Sequence, residues 1–457
     1  MGLITALLNV NTIANMEQAF RAKDTTTPAM REAVRTWAHL YFLAERTKDA
    51  DPALRLPVTI VNKLYKTVFS EYTIRTQKDS DFFSATLRNL HKVQKKAMQM
   101  TLIGGEAFIK PVISLNGIDF AIVRRDNFVP FARDLYGKIT SVGTMEKSTE
   151  NGNYYTLLER RTVLPNGELV IDTQLYASPT EEVLGNRVPL NTLQRYEQIA
   201  PEIRLPGVYN LGMVQVRTPM ANTVDGSVDS VSVYDAAKGL IARAYENQAL
   251  LDVEFDNGKS LIIGSSDMIS TDAYGRKSIA DSLFVGIDDN IGDTGVTIFN
   301  PALREASYFA REQNLLKAVE NIIGLKRGIL SEVEAAERTA TEITSSAGDY
   351  NLTITDFQGA WEEAVRELIA TCQILAKLYN LSTETIDPEK DLIIDWGDGV
   401  LYNRDKVNQE MLAQVQAGLL APERYLAWYY ELPCDTPADR EKIRAEYMPE
   451  MEQLLQG

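Results

Sequence analysis

Two helix-length stretches, about Val231 to Phe255 and Ala302 to Leu325, bracket a run of short β-segments, and no other feature of the chain narrows its fold as much. In the first, Val231, Tyr234, Ala237, Ile241, Ala244, Gln248, Leu251 and Phe255 recur at the spacing of one helix face, after a capping loop at Asp225 to Ser230. Asn257-Gly258 ends it, and Ser260 to Ile263, Leu283 to Ile287 and Val296 to Phe299 read as strands between Gly/Asp turns. A helix that leaves, a small β insert and a helix that returns imply an antiparallel helix pair with the insert at its tip.

The returning helix runs into a charged break, Lys326-Arg327-Gly328, then a short helix holding Thr339 to Ile343. A long amphipathic helix follows to about Leu381, with Asp356 as its N-cap and Trp361, Ala364, Val365, Leu368, Cys372, Leu375 and Tyr379 on one face. Leu392 to Trp396 reads as a strand. Three helices close the chain, opened by Asn403, by Pro422, and by Thr436-Pro437 with Asp439 in the first turn.

Upstream, residues 1–50 read as polar helices, with Thr27-Pro28 as a start signal. Pro57 opens a helix carrying Val58, Ile60, Val61, Leu64, Val68 and Phe69. Asp81 is expected to cap the next helix, Phe82 to Thr101, whose polar face bears Arg88, His91, Lys92, Lys95 and Lys96. Strands then take over. Gly105 to Ile113 and Ile118 to Val123 form a hairpin across Asn116-Gly117, and Tyr154 to Arg161 pairs with Leu169 to Tyr176 across Pro165-Asn166-Gly167. The fold class is α+β.

Charge bears on partners. Residues 329–457 hold 25 Asp/Glu against 10 Lys/Arg, while residues 1–328 are almost balanced at 38 against 37. A chain that gripped nucleic acid by neutralising phosphates would be basic. No apolar run approaches the length of a membrane span, and the opening residues lack the basic start of a signal peptide. Two cysteines far apart, Cys372 and Cys434, give neither a disulfide framework nor a thiolate metal site, and fit a reducing compartment.

Motifs for chemistry are sparse. There is no phosphate-binding Gly-rich loop before a Lys-Ser/Thr pair, and His39 and His91 stand apart from other ligand residues. Asp288 to Gly295 lacks the closing Glu of a calcium loop. Asp391, Asp395 and Asp398 bracket a strand end, so a carboxylate-based hydrolase using Asp395 and Asp398 stands as an alternative to the expectation of no enzyme, no cofactor and no metal.

The order of parts from about Pro57 to Tyr447 resembles the portal, or head–tail connector, proteins of tailed bacteriophages. The resemblance rests on Gly104-Gly-Glu-Ala-Phe-Ile-Lys110, Val123 to Pro130, Asp134-Leu-Tyr-Gly-Lys-Ile139, Tyr209-Asn-Leu-Gly212 and Gly226 to Ala237. It is reinforced by Asn321-Ile-Ile-Gly-Leu325, Thr339-Ala-Thr-Glu-Ile343 and the helix from Asp349 to Leu381. It implies a homo-oligomeric ring, usually of twelve subunits, at one capsid vertex of the virion. The ring is assembled in the host bacterial cytoplasm and passes double-stranded DNA.

On that plan residues 1–230 are the N-terminal and wing region, 231–255 and 302–325 the stem, and 256–301 the clip. Residues 326–350 hold the channel loop, 351–399 the long, kinked wing helix and a strand, and 400–457 a short helical crown. The resemblance implies Lys326, Arg327, Glu332, Glu334 and Glu337 as DNA-facing, and Lys259, Arg276 and Lys277 as clip contacts. Its partners are a terminase packaging motor, a neck adaptor, and major capsid and scaffold proteins, with no membrane. Deleting 326–338 is expected to leave assembly intact and impair packaging. A phage ring or scaffold component that never contacts DNA is the remaining alternative.

Overall fold

The computed structural model describes residues 10–42, 54–78, 80–114, 117–181, 183–258, 261–265, 284–287, 296–299, 302–332, 340–397, 404–430, 432–434 and 437–448. The chain divides into two units, Met1–Trp396 and Gly397–Gly457. The architecture is α+β.

The first unit opens with α1 (Val10–Phe20), α2 (Pro28–Phe42) and α3 (Leu56–Val68), followed by β1 (Thr73–Thr76) and α4 (Asp81–Gly104). Pro57 sits in the first turn of α3, where its missing N–H costs nothing. Ser80, not Asp81, caps α4. Its hydroxyl accepts from the Phe83 N–H at 3.1 Å, which leaves Asp81 inside the first turn where its charge suits the helix dipole.

Antiparallel sheets form the middle of the unit. β2 (Glu106–Ser114) pairs with β3 (Gly117–Arg124), and with β10 (Val214–Arg217) on its other edge. A larger sheet runs β4 (Phe128–Arg133), β5 (Ile139–Glu150), β6 (Asn153–Val163), β7 (Glu168–Ser178) and β8 (Asn186–Val188), with β9 (Glu202–Pro206) also on β7. The β5–β6 turn is Asn151-Gly152, both at positive φ (50° and 78°), the geometry that matches strand twist in a two-residue hairpin. Val129, Phe131 and Leu158 of this sheet pack on Ile13, Met16 and Phe20 of α1.

Charge is buried beside the apolar core. Glu106, fully buried, meets Arg133 Nη2 at 2.9 Å and Arg125 Nε at 3.1 Å, and Arg133 continues to Asp229. Burial alone would raise the Glu106 carboxyl; Arg133 and Arg125 outweigh it and hold it below its usual range. A second cluster joins Glu159 to Lys110 at 2.9 Å and to Arg161 at 2.8 Å.

The helix expected from Val231 starts at Lys238, giving α5 (Lys238–Asn257). Val231, Tyr234 and Ala237 are buried as the periodicity implied, but Val231 lies in irregular chain and the other two in turns. Asp235 explains the difference. It is buried and accepts from Trp37 Nε1 (2.8 Å), Thr223 Oγ1 (3.1 Å) and Lys238 Nζ (2.9 Å), which ties this segment to α2.

Beyond α5, β11 (Leu261–Ser265) pairs in parallel with β12 (Phe284–Ile287) and antiparallel with β13 (Val296–Phe299). The chain returns as α6 (Glu305–Ile323). The short helix and the long helix expected next are one continuous element, α7 (Ala340–Leu378), and Asp356 lies inside it rather than capping it. Among its described side chains, Tyr350, Phe357, Trp361, Val365, Leu368 and Cys372 are buried, whereas Tyr379, past the end, is half exposed. β14 (Leu392–Asp395) then pairs antiparallel with β1, and Phe69, Tyr72, Trp361 and Trp396 form an aromatic knot beside it.

In the second unit α8 (Arg404–Gln416), α9 (Pro422–Tyr430) and α10 (Pro437–Tyr447) follow in order. Glu423 at the start of α9 bonds Arg444 of α10. Asn403 and Thr436 lie outside the described residues.

Candidate functional site: the turn after the helix pair

Helices α5 and α6 lie antiparallel. Glu254 near the end of α5 bonds Arg304 before α6 (Oε2 to Nη2, 2.6 Å), and Asn247, a turn or two back, donates to the Tyr308 carbonyl at 3.0 Å. Arg304's hydrogen bonds hold the Glu254 carboxyl below its usual range. Asn247 is fully buried between the helices, so its amide replaces a hydrophobic contact with a directional one. Outside the pair Leu250, Val253 and Phe255 of α5 and Phe309 and Ile322 of α6 remain 46–53% exposed.

The far end of α6 carries the candidate site. Leu316, Val319, Glu320 and Ile323 form its buried face, so a carboxylate sits where the helical spacing calls for an apolar residue. Gly324 ends the helix in the left-handed region (φ 77°, ψ 28°), and its N–H and that of Leu325 close the last turn on Asn321 and Glu320. A Cβ at Gly324 would stand 2.5 Å from Thr353 Oγ1 on α7, so glycine also permits that close approach.

Past the cap the backbone curls around Glu320. Its Oε1 accepts from the N–H groups of Gly328 (3.1 Å), Leu330 (2.6 Å) and Ser331 (2.9 Å), and its Oε2 from the Ser331 hydroxyl (2.7 Å). Converging N–H groups of this kind form a nest that suits an anion, and here the anion is built in. The Glu332 N–H donates to Gln313 Oε1 at 2.8 Å, a further tie back to α6. The turn is therefore held from inside by a fully buried side chain.

Lys326 is half-buried, and Arg327, Gly328 and Glu332 are exposed on the outer side. Of the residues expected to face DNA, Lys326, Arg327 and Glu332 thus lie on one short turn, while Glu334 and Glu337 lie outside the described residues. Lys259, Arg276 and Lys277 lie outside them too. Removing residues 326–338 would take away all four donors to Glu320 and leave its carboxylate buried without them. That deletion is a core lesion, against the expectation that it would spare assembly.

Asp391 accepts from Lys78 Nζ (2.6 Å) and from the Asp387 N–H (2.8 Å), which hold its carboxyl below the usual range and tie the chain before β14 to the end of β1. Asp395 pairs in register with Thr73, and Asp398 lies outside the described residues. Among the described residues no three His, Cys, Asp or Glu side chains gather as metal ligands. His39 and His91 lie on α2 and α4.

Sequence reasoning missed Glu320, Gln313 and Ser331. The available signal was a Glu inside an apolar stripe, followed within eleven residues by Gly324, Gly328 and Ser331. No protein-family model matches the chain, and no curated protein matches it significantly.

Proposed function

We propose that the chain is a subunit of a portal-type ring that passes double-stranded DNA. The observation that carries this reading is the antiparallel pair α5/α6 with the β11–β13 sheet connected at one end and the Glu320-pinned turn at the other. A small sheet at the end of two helices has open edges at β12 and β13 among the described residues, and a neighbouring copy can pair with them in a ring closed by rotation. The exposed apolar residues on the pair, Leu250, Val253 and Phe309 among them, suit burial against adjacent copies.

The turn supplies two cations at a fixed place. Contacts of that number give DNA a weak, salt-sensitive hold, which a duplex that must slide can break at each step. Glu332 beside them tempers the attraction. No described helix is long and apolar enough to cross a membrane.

Negative-stain imaging of the purified chain tests the reading. Rings with a central opening wide enough for a duplex are expected. A chain that stays monomeric under all conditions by light scattering overturns it, and closed rings without such an opening favour a ring component that never contacts DNA.

A further inference from the structure

Among the described residues strand β1 has one neighbour in its sheet, β14. The Gln77 N–H donates to the Asp391 carbonyl, one step beyond the Thr76–Leu392 pair. By antiparallel alternation, Thr73 and Arg75 bond β14, and the N–H and C=O groups of Ile74 and Thr76 point to the opposite edge. Among the described residues nothing bonds them there.

That edge borders an open groove of about 540 Å³ between β1 and α4, and no residue of β14 lines it. Arg75 from the strand and Arg88 and His91 from α4 line it, exposed and without an ion-pair partner among the described residues. Lys78 is already engaged by Asp391. Lys92 and Lys95 continue the same exposed stripe along α4.

We propose that this groove binds an extended acidic segment of a partner protein, which adds to β1 as a strand with its carboxylates towards Arg75, Arg88 and His91. The free edge offers donors and acceptors in alternation, the pattern of another peptide backbone. A phosphate chain offers acceptors only and would leave the Ile74 and Thr76 carbonyls unmet. Cations on a strand edge ordinarily discourage a further strand. Here they share one sign across a groove, so they refuse neutral and basic strands and admit an acidic one. The described acidic residues after Gly397 lie in α8–α10, and a helix cannot add to a strand edge, so these helices of a second copy are not the occupant. The inference is independent of the portal reading.

Fluorescence anisotropy on the full chain tests it, with a labelled eight-residue peptide of alternating Glu and Val. The acidic peptide is expected to bind in the micromolar range, and the Lys-for-Glu version not to bind. N-methylation of alternate amides at unchanged charge, and the double substitution Arg75→Glu/Arg88→Glu, are each expected to weaken binding about tenfold, with the melting temperature of the variant checked in parallel. Absence of binding overturns the proposal. So does binding indifferent to N-methylation, or equal competition by a single-stranded oligonucleotide, since either would make the surface a general polyanion patch.

Discussion

Glu320 accepts hydrogen bonds from both the main-chain N–H and the hydroxyl of Ser331, eleven residues further along the chain. The pair fixes the direction in which the chain leaves α6. It also makes one side chain responsible for the shape of a turn whose outer surface is polar.

Replacing Glu320 by Ala leaves the Gly328, Leu330 and Ser331 N–H groups without their acceptor. The variant is expected to lose roughly 2–4 kcal/mol of stability in urea titration. Hydrogen exchange at Leu330 and Ser331 should accelerate before the rest of the first unit is affected. Unchanged protection at those two amides would show that the turn holds its shape without the carboxylate.

Substituting both Lys326 and Arg327 by Ala addresses the outer side of the same turn. Stability is expected to change by no more than about 0.5 kcal/mol, because neither side chain is part of the inner hydrogen-bond set. The slope of log binding constant against log salt for duplex DNA should fall by about 2, or less where only one cation meets a phosphate. A slope identical to that of the parent protein would take the turn out of the DNA path.

Gly324→Ala carries two penalties, one for a left-handed backbone at φ 77° and one for the contact with Thr353 Oγ1. A loss of roughly 1–3 kcal/mol is expected. In the Gly324→Ala/Thr353→Ala double variant the contact part should return and the backbone part should not. Full additivity in that thermodynamic cycle would show that the two helices do not meet at this point.

The Glu159 cluster sets an acid limit. Burial would raise this carboxyl, but Arg161 and Lys110 outweigh it and hold it down to about 2, against an ordinary 4.5. Lys110, buried beside Arg161, is itself pulled below the lysine range, so the stabilisation resides on the carboxylate. A depressed carboxylate stabilises the fold fully above its unfolded value and loses that contribution as pH falls through the folded one. The expected loss between about pH 5 and pH 2 is on the order of 3 kcal/mol, and Glu159→Gln should flatten that part of a stability–pH profile.

Local signals in the sequence were legible where a residue acts on its immediate neighbours. Pro57 at the start of α3, the hairpin of β2 and β3, the Pro165 to Gly167 turn, and the buried stripe from Trp361 to Leu375 all stand where the spacing puts them, while Asn116 lies outside the described residues. Asn151-Gly152 carried the same signal between β5 and β6. The misplacements came from distant partners. Val231, Tyr234 and Ala237 are buried with helical spacing, yet Asp235 is drawn to Trp37, far away in sequence, and α5 starts only after that bond is made. Asp356 has the chemistry of a cap, but α7 continues through it on an apolar face that begins earlier with Tyr350 and Ile354. At the candidate site Lys326 and Arg327 were visible as charges. Glu320 was not, because a helix glutamate resembles a solvated one until the loop that wraps it is known.

The pairing of β1 with β14 has a mechanical meaning. Tension carried along the backbone from Gly397 passes through Trp396 to Asp395, and Asp395 is in register with Thr73. Four strand pairs, the Lys78–Asp391 ion pair and the packing of Trp396 on Tyr72 would share that load with α7, about 58 Å long, which Trp396 meets directly through its Nε1 bond to Glu362 (3.4 Å). The clasp divides strain: a tug passed along the backbone is shared between β1, more than three hundred residues upstream, and the long helix, so neither bears it alone.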